Sequence, residues 1–181
     1  IVRFFEKLAL RNSVVVLTVC SALTELAGRI APGKKIFQIE DCPVEFPRGN
    51  RKFSRESFGL KRDNLVIMYT GNFESYQGVE MLLKSMSYLL KCQKDALPVN
   101  SRAHCPIKLV LAGGESEQIE MLKSFSGRLG ILDSVLFLGK HPMEEIPSLL
   151  SMADILVSPR LEGTNTPMKI FDYLASGRAV A

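Results

Sequence analysis

The sequence predicts an α/β protein built on a doubly wound parallel sheet. Three observations predict it. From Leu65 onward, apolar β-branched runs alternate regularly with segments whose apolar residues recur at helical spacing. The runs are nearly continuous in apolar character, as strands covered on both faces must be. With 181 residues and 46% of them apolar, the chain can bury a substantial core.

The elements follow in order. The first series reads as a helix around IVRFFEKLAL, the strand SVVVLTVC, a helix opened by Ser21 in SALTELAGRI, and the strand KIFQIE. A basic segment follows, PRGNRKFSRESFGLKR, with six cations between Arg48 and Arg62. Lying between apolar series and rich in Gly, Pro and Ser, it reads as a solvated linker rather than a nucleic-acid or lipid patch. The second series pairs LVIMYTG with GVEMLLKSMSYLL, IKLVLAGG with SEQIEMLKSFSGRLG, SVLFLGK with MEEIPSLLSMA, and DILVSPR with PMKIFDYLASG, and closes on AVA. The divisions are therefore 1–46, a linker over 47–64, and 65–181. Both ends, an opening Ile and a closing RAVA that resembles the start of a strand, read as cut from a longer sequence.

Composition excludes several classes. A net charge of +4 without a long basic block does not suit a nucleic-acid binder. Cys20, Cys42, Cys92 and Cys105 have neither metal-ligand spacing nor the density of a disulfide scaffold, so they read as reduced thiols. No apolar run reaches the roughly 18 residues of a membrane span, and no signal peptide is seen. A cytoplasmic protein is expected, with peripheral attachment to a membrane surface left open.

Open parallel sheets bind ligands beyond the carboxyl ends of their strands. Two such loops are informative. In GNFESYQG, Gly71 lets the backbone approach a ligand, and the amides ahead of Val79 suit a phosphate; Gly71 and Gly78 are equally explained as turn and cap residues. In EGTNTPMKIFDYLASG, Pro167 fits the first helical position, while Thr164, Asn165 and Thr166 supply cap oxygens and backbone donors. Lys169 in the first turn opposes the helix dipole, which makes sense if an anionic ligand offsets it; a solvent-facing lysine is the plain alternative. Asp172, three residues on, offers two acceptor oxygens suited to a ribose diol, and it would also satisfy the dipole unaided. Glu162 precedes the loop as a third candidate.

At these residues the chain resembles the retaining GT-B glycosyltransferases of family four, the group-one glycosyl transferases. The resemblance rests on GNFESYQGVEMLL, IKLVLAGG, VLFLGK, ADILVSPRLEGTNTP and KIFDYLASGRAV in this order, with VLTVCSALTELAGRI and KIFQIEDCPVE similar to the close of the N-terminal Rossmann-like domain. It implies a GT-B C-terminal, nucleotide-sugar-binding domain over 65–181 preceded by a fragment of a second Rossmann-like domain over 1–46. In that family two acidic residues separated by seven positions flank this loop, one near the transferred sugar and one on the ribose hydroxyls. Asp172 matches the second; Glu162 resembles the first, although nine residues intervene here and strict spacing would select Thr164. Many members carry an Arg and a Lys in the first loop where Asn72 and Gln77 stand. Charge-assisted bonds to phosphate are roughly twice as strong as neutral ones, so Lys169 and Arg160 become the compensating cations.

The resemblance implies sugar transfer from a nucleotide diphosphate sugar with retention of configuration and without a metal or cofactor. Gly71, Asn72, Gln77, Arg160, Thr164, Asn165, Thr166, Lys169 and Asp172 would hold the donor, and Glu162 would stand at the sugar as the catalytic carboxylate. The acceptor, a glycan, lipid-linked sugar or small molecule, is not specified, and the isolated chain is expected to bind donor with little or no turnover. A sugar-nucleotide epimerase of the same architecture would need a histidine near the sugar, for which only His104 and His141 exist. A non-catalytic binding or scaffold module is the third reading, supported by Asn72 and Gln77.

Overall fold

The computed structural model describes residues 2–43, 52–96, 105–163 and 166–181. Thr164, Asn165, His104 and the opening of the basic segment lie outside the described residues. The chain forms two compact units, one of Ile1–Pro43 with Gly163–Phe171 and one of Val44–Glu162 with Asp172–Ala181.

In the first unit, α1 (Val2–Asn12) and α2 (Ser21–Ile30) accompany two parallel strands, β1 (Val15–Thr18) and β2 (Lys35–Gln38), paired from Val15 with Lys35 to Thr18 with Gln38. Ser21 opens α2 as the sequence suggested, with Cys20 ahead of it as the cap residue. Val16, Ala27 and Ala31 are buried, and the hydroxyls of Thr18 and Thr24 meet at 2.6 Å. Leu17 and Phe37 remain largely exposed on the strands.

The second unit holds five parallel strands, β3 (Leu65–Thr70), β4 (Ile107–Ala112), β5 (Val135–Gly139), β6 (Ile155–Leu156) and β7 (Ala179–Val180). Their spatial order is β5-β4-β3-β6-β7. Counted from β3, the order 3-2-1-4-5 is that of a Rossmann sheet, whose winding reverses between β3 and β6. The expected doubly wound α/β class is what the fold displays.

Four helices connect these strands: α3 (Val79–Ala96), α4 (Ser116–Arg128), α5 (Ile146–Leu150) and α6 (Lys169–Ala175). On α3, Val79, Leu83 and Met86 recur at helical spacing and are buried, joining Tyr69, Leu109 and Leu111 of the sheet in the core. Each fully buried aliphatic side chain contributes about 1.5–3 kcal/mol. The helix expected from MEEIPSLLSMA is split into a 3-10 turn at Met143–Glu145 and the short α5, with Pro147 in its first turn.

The segment read as a solvated linker is packed over its described part. Arg55 donates to the carbonyls of Met152 and Asn64 at 2.8 and 3.1 Å and to the Asp154 carboxylate at 2.7 Å. Asp154 also accepts from the Val66 amide at 2.8 Å, so one buried-edge carboxylate ties the segment to two strands. Phe53 and Phe58 stack edge-on against His141, and Lys52 pairs with Glu145. High charge concealed this role: Arg55 serves as a multidentate clamp for backbone carbonyls, which a composition argument cannot distinguish from a solvated cation.

Candidate functional site

The site is built at the carboxyl ends of β3, β4 and β6. At the end of β3 the chain turns through Gly71, whose φ of +136° excludes most other residues. The Gly71 amide donates to the Ala112 carbonyl at 3.0 Å, which holds the turn against β4. The Tyr69 hydroxyl donates to the Asn72 carbonyl at 2.7 Å, and the Asn72 side chain accepts from the Glu74 amide at 3.4 Å. Asn72 is thus exposed on a loop whose backbone is fixed from both sides.

Neighbouring glycines let the loops close on one another. A Cβ at Gly113, where φ is +123°, would sit 2.0 Å from the Gly71 carbonyl oxygen. A Cβ at Gly78 would sit 2.1 Å from the Pro159 carbonyl oxygen, so the loops after β3 and β6 touch backbone to backbone. The same two loops are joined by a bond from the Leu161 amide to the Tyr76 carbonyl at 3.0 Å. Arg160 lies over the Tyr76 ring at 5.8 Å, and its Nε donates to the Glu162 carbonyl at 2.5 Å.

Helix α6 is anchored by Tyr173, which is fully buried. Its hydroxyl accepts from the Thr70 amide at 2.8 Å and lies 3.1 Å from the Thr70 hydroxyl. Burial pushes the Tyr173 phenol up, with a smaller push from the Asp172 carboxylate, so it remains a neutral hydrogen-bonding group. Tyr173 thereby ties α6, which carries Asp172 in its first turn, to the last residue of β3. Tyr173→Phe is expected to strand the buried Thr70 N–H and cost about 1–3 kcal/mol in urea unfolding. A change within error would remove the anchor from this account.

The predicted residues are distributed as follows. Gly71, Asn72, Gln77, Arg160, Glu162 and Asp172 belong to the second unit. Gly71, Asn72 and Glu162 are exposed, Arg160 and Asp172 half-buried, and Gln77 is buried inside the 3-10 turn Ser75–Gln77. Thr166 and Lys169 group with the first unit. Pro167 does not take the first helical position: α6 starts at Lys169, after a tight turn in which Ile170 donates to the Pro167 carbonyl and Phe171 to that of Met168. Tightening of this kind at a helix start is common, and it shortens α6 to seven residues. Lys169 nonetheless stands at the head of the helix and Asp172 in its first turn, as expected.

His141 is enclosed by Phe53 and Phe58, with Nδ1 2.7 Å from a Glu145 carboxylate oxygen. Its geometry secures the 52–58 segment. Among the described residues, no cluster of three or more His, Cys, Asp or Glu could hold a metal ion. No helix among them is long and apolar enough to cross a membrane. Tyr173, Thr70 and Tyr76 escaped the sequence reading. Tyr173 reads there as a core residue at helical spacing, and its hydroxyl partner is 103 positions away.

Five parallel strands in this order, with glycine loops meeting at the switch point, define a Rossmann-like α/β fold. The chain belongs to the glycosyl transferases group 1, whose family profile matches residues 50–180. It is 26% identical over 133 residues to the D-inositol 3-phosphate glycosyltransferase of Corynebacterium diphtheriae, covering 72% of this chain and 28% of that protein. It is 24% identical over 169 residues to the alpha-D-kanosaminyltransferase of Streptomyces kanamyceticus, covering 88% of this chain and 40% of that protein. Among solved structures, Anabaena HepE in complex with UDP and glucose superposes with a TM-score of 0.74 at 17% identity, over 98% of this chain and 46% of HepE. A glycosyltransferase from Rickettsia africae gives 0.76 at 16% identity, over 98% and 47%. The chain spans only 28% and 27% of the length of the first curated relatives it matches.

Proposed function

We propose that this chain is the donor-binding portion of a glycosyltransferase that moves a sugar from a nucleotide diphosphate sugar to an acceptor with retention of configuration. The observation that carries the reading is the backbone contact of the β3 and β6 loops, with α6 tied to Thr70 through Tyr173. Such an arrangement leaves a diphosphate facing main-chain amides at the switch point. The HepE complex with UDP and glucose supports a nucleotide-sugar donor.

In this proposal the Asn72 amide, presented by the Gly71 turn, and the Thr164, Asn165 and Thr166 loop bind phosphate oxygens; the Gly71 amide itself is held by the Ala112 carbonyl, so Gly71 contributes close approach rather than a donor. Lys169 and Arg160 offset their charge, Asp172 accepts from the ribose hydroxyls, and Glu162 stands toward the sugar. An acceptor hydroxyl oxygen forms its bond to the anomeric carbon as the bond to the diphosphate breaks; the electron pair leaves with the diphosphate, whose oxygen takes up the hydroxyl proton. Preorganised donors stabilise that developing charge without reorganisation. No metal is invoked, and the acceptor remains a glycan, lipid-linked sugar or small molecule. Attachment to a membrane surface belongs to the same proposal.

The scaffold reading keeps one specific support: Gln77 is buried and Asn72 neutral, so the first loop presents no cation. The epimerase reading loses support, because His141 is engaged with Glu145 between two phenylalanines. Calorimetry of the chain with UDP and GDP separates donor binding from the scaffold. Saturable binding, weakened about tenfold by Lys169→Ala, is the expected result; no binding of either nucleotide by the folded chain favours the scaffold.

A further inference from the structure

The amino ends of β3, β6 and β7 bear a second pocket of the same unit, at the opposite end of the sheet from the glycine loops. It encloses about 460 Å³, within the size range of small-molecule sites. Lys52, Arg55, Arg62 and Arg178 line it, together with serine hydroxyls, and Glu56 is the carboxylate on its wall. Two of these cations are already matched, Lys52 to Glu145 and Arg55 to Asp154. Arg62 makes no hydrogen bond or ion pair within the described residues. Arg178 donates one Nη2 bond, to the Ser151 carbonyl at 2.6 Å, out of the five N–H donors of a guanidinium.

Glu56 responds to the local field. Its carboxyl is held below the usual carboxylate range by its own backbone amide and the Ser54 hydroxyl, and further by Arg62 and Arg55. The hydroxyls of Ser54 and Ser57 lie 3.2 Å apart on the same wall; with Ser54 donating to Glu56, the Ser57 hydroxyl is the one that can turn to an anion. Guanidinium forks make two-point contacts with carboxylate and phosphate alike, which chloride cannot match, and two forks around one anion suit the larger number of oxygens on a phosphate.

We propose that this pocket binds a phosphate group, free or carried by a small organic or lipid headgroup, between Arg62 and Arg178 with the Ser57 hydroxyl. The site is separate from the donor loops and does not rest on the glycosyltransferase reading.

The test is a titration of the chain with inorganic phosphate at low ionic strength, followed residue by residue by amide and guanidinium NMR shifts. Saturable shifts at 54–62 and 178, distinct from any at 71–78, are expected. Arg62→Gln, a surface change that leaves the fold intact, is expected to weaken this response about tenfold. Sedimentation with phosphatidic acid vesicles, set against phosphatidylcholine vesicles, separates the sources. Arg62-dependent binding to the former assigns a lipid headgroup, and phosphate shifts without vesicle binding assign a soluble phosphate. Absence of saturable shifts at 54–62, or shifts unchanged in Arg62→Gln, overturns the proposal.

Discussion

Alanine at Gly113 is expected to destabilise the second unit by about 3 kcal/mol or more, combining left-handed backbone strain with overpacking. The added methyl has no room, because the atom it meets is the Gly71 carbonyl oxygen at 2.0 Å rather than a side chain that can swing away. Relief requires β4 to part from the turn after β3, and that parting breaks the Gly71 to Ala112 hydrogen bond. Gly130→Ala is the matched control: φ is +69° there and nothing lies within 4 Å of the added Cβ, so only the backbone strain of about 1 kcal/mol applies. Urea unfolding of both variants measures the difference. Equal losses would mean that the loops are not held in contact.

The second large effect is on affinity. Asp172→Ala is expected to weaken UDP binding by roughly 100-fold or more, since two hydrogen bonds to a charged acceptor are together worth about 3 kcal/mol at the low end. Asp172→Asn keeps one acceptor oxygen and is expected to fall between. Stability changes little by comparison, because a carboxylate in the first helical turn contributes only about 0.3–1 kcal/mol through the dipole. Calorimetry below the unfolding transition separates the two effects, and unaltered affinity in Asp172→Ala would remove this residue from the ribose.

Much of the fold was legible because parallel strands covered on both faces cannot hide their composition. LVIMYT and IKLVLA are apolar but for Thr70 and Lys108, and each is followed by glycine and a helix of regular period. The site was legible where chemistry is local: Asp172 and Lys169 stand in the first turn of α6 as their spacing implied. Contacts that depend on residues distant in the chain were not legible. Arg55 reaches Asp154 across 99 positions, and the clash that makes Gly113 necessary involves an oxygen of Gly71. Nor could the sequence reveal that the tight turn at Pro167 and Met168 delays α6 by two residues. Both conformations suit a proline followed by good helix formers.

The account turns on where a nucleotide diphosphate settles. A crystal of the chain grown with UDP, or amide shifts recorded during a UDP titration, tests this most directly. Phosphate oxygens are expected against the main-chain amides that follow Gly71, that of Asn72 first, with the ribose on Asp172. A nucleotide bound elsewhere, or a folded chain that leaves those amides and Asp172 unperturbed at saturating UDP and GDP, would contradict it.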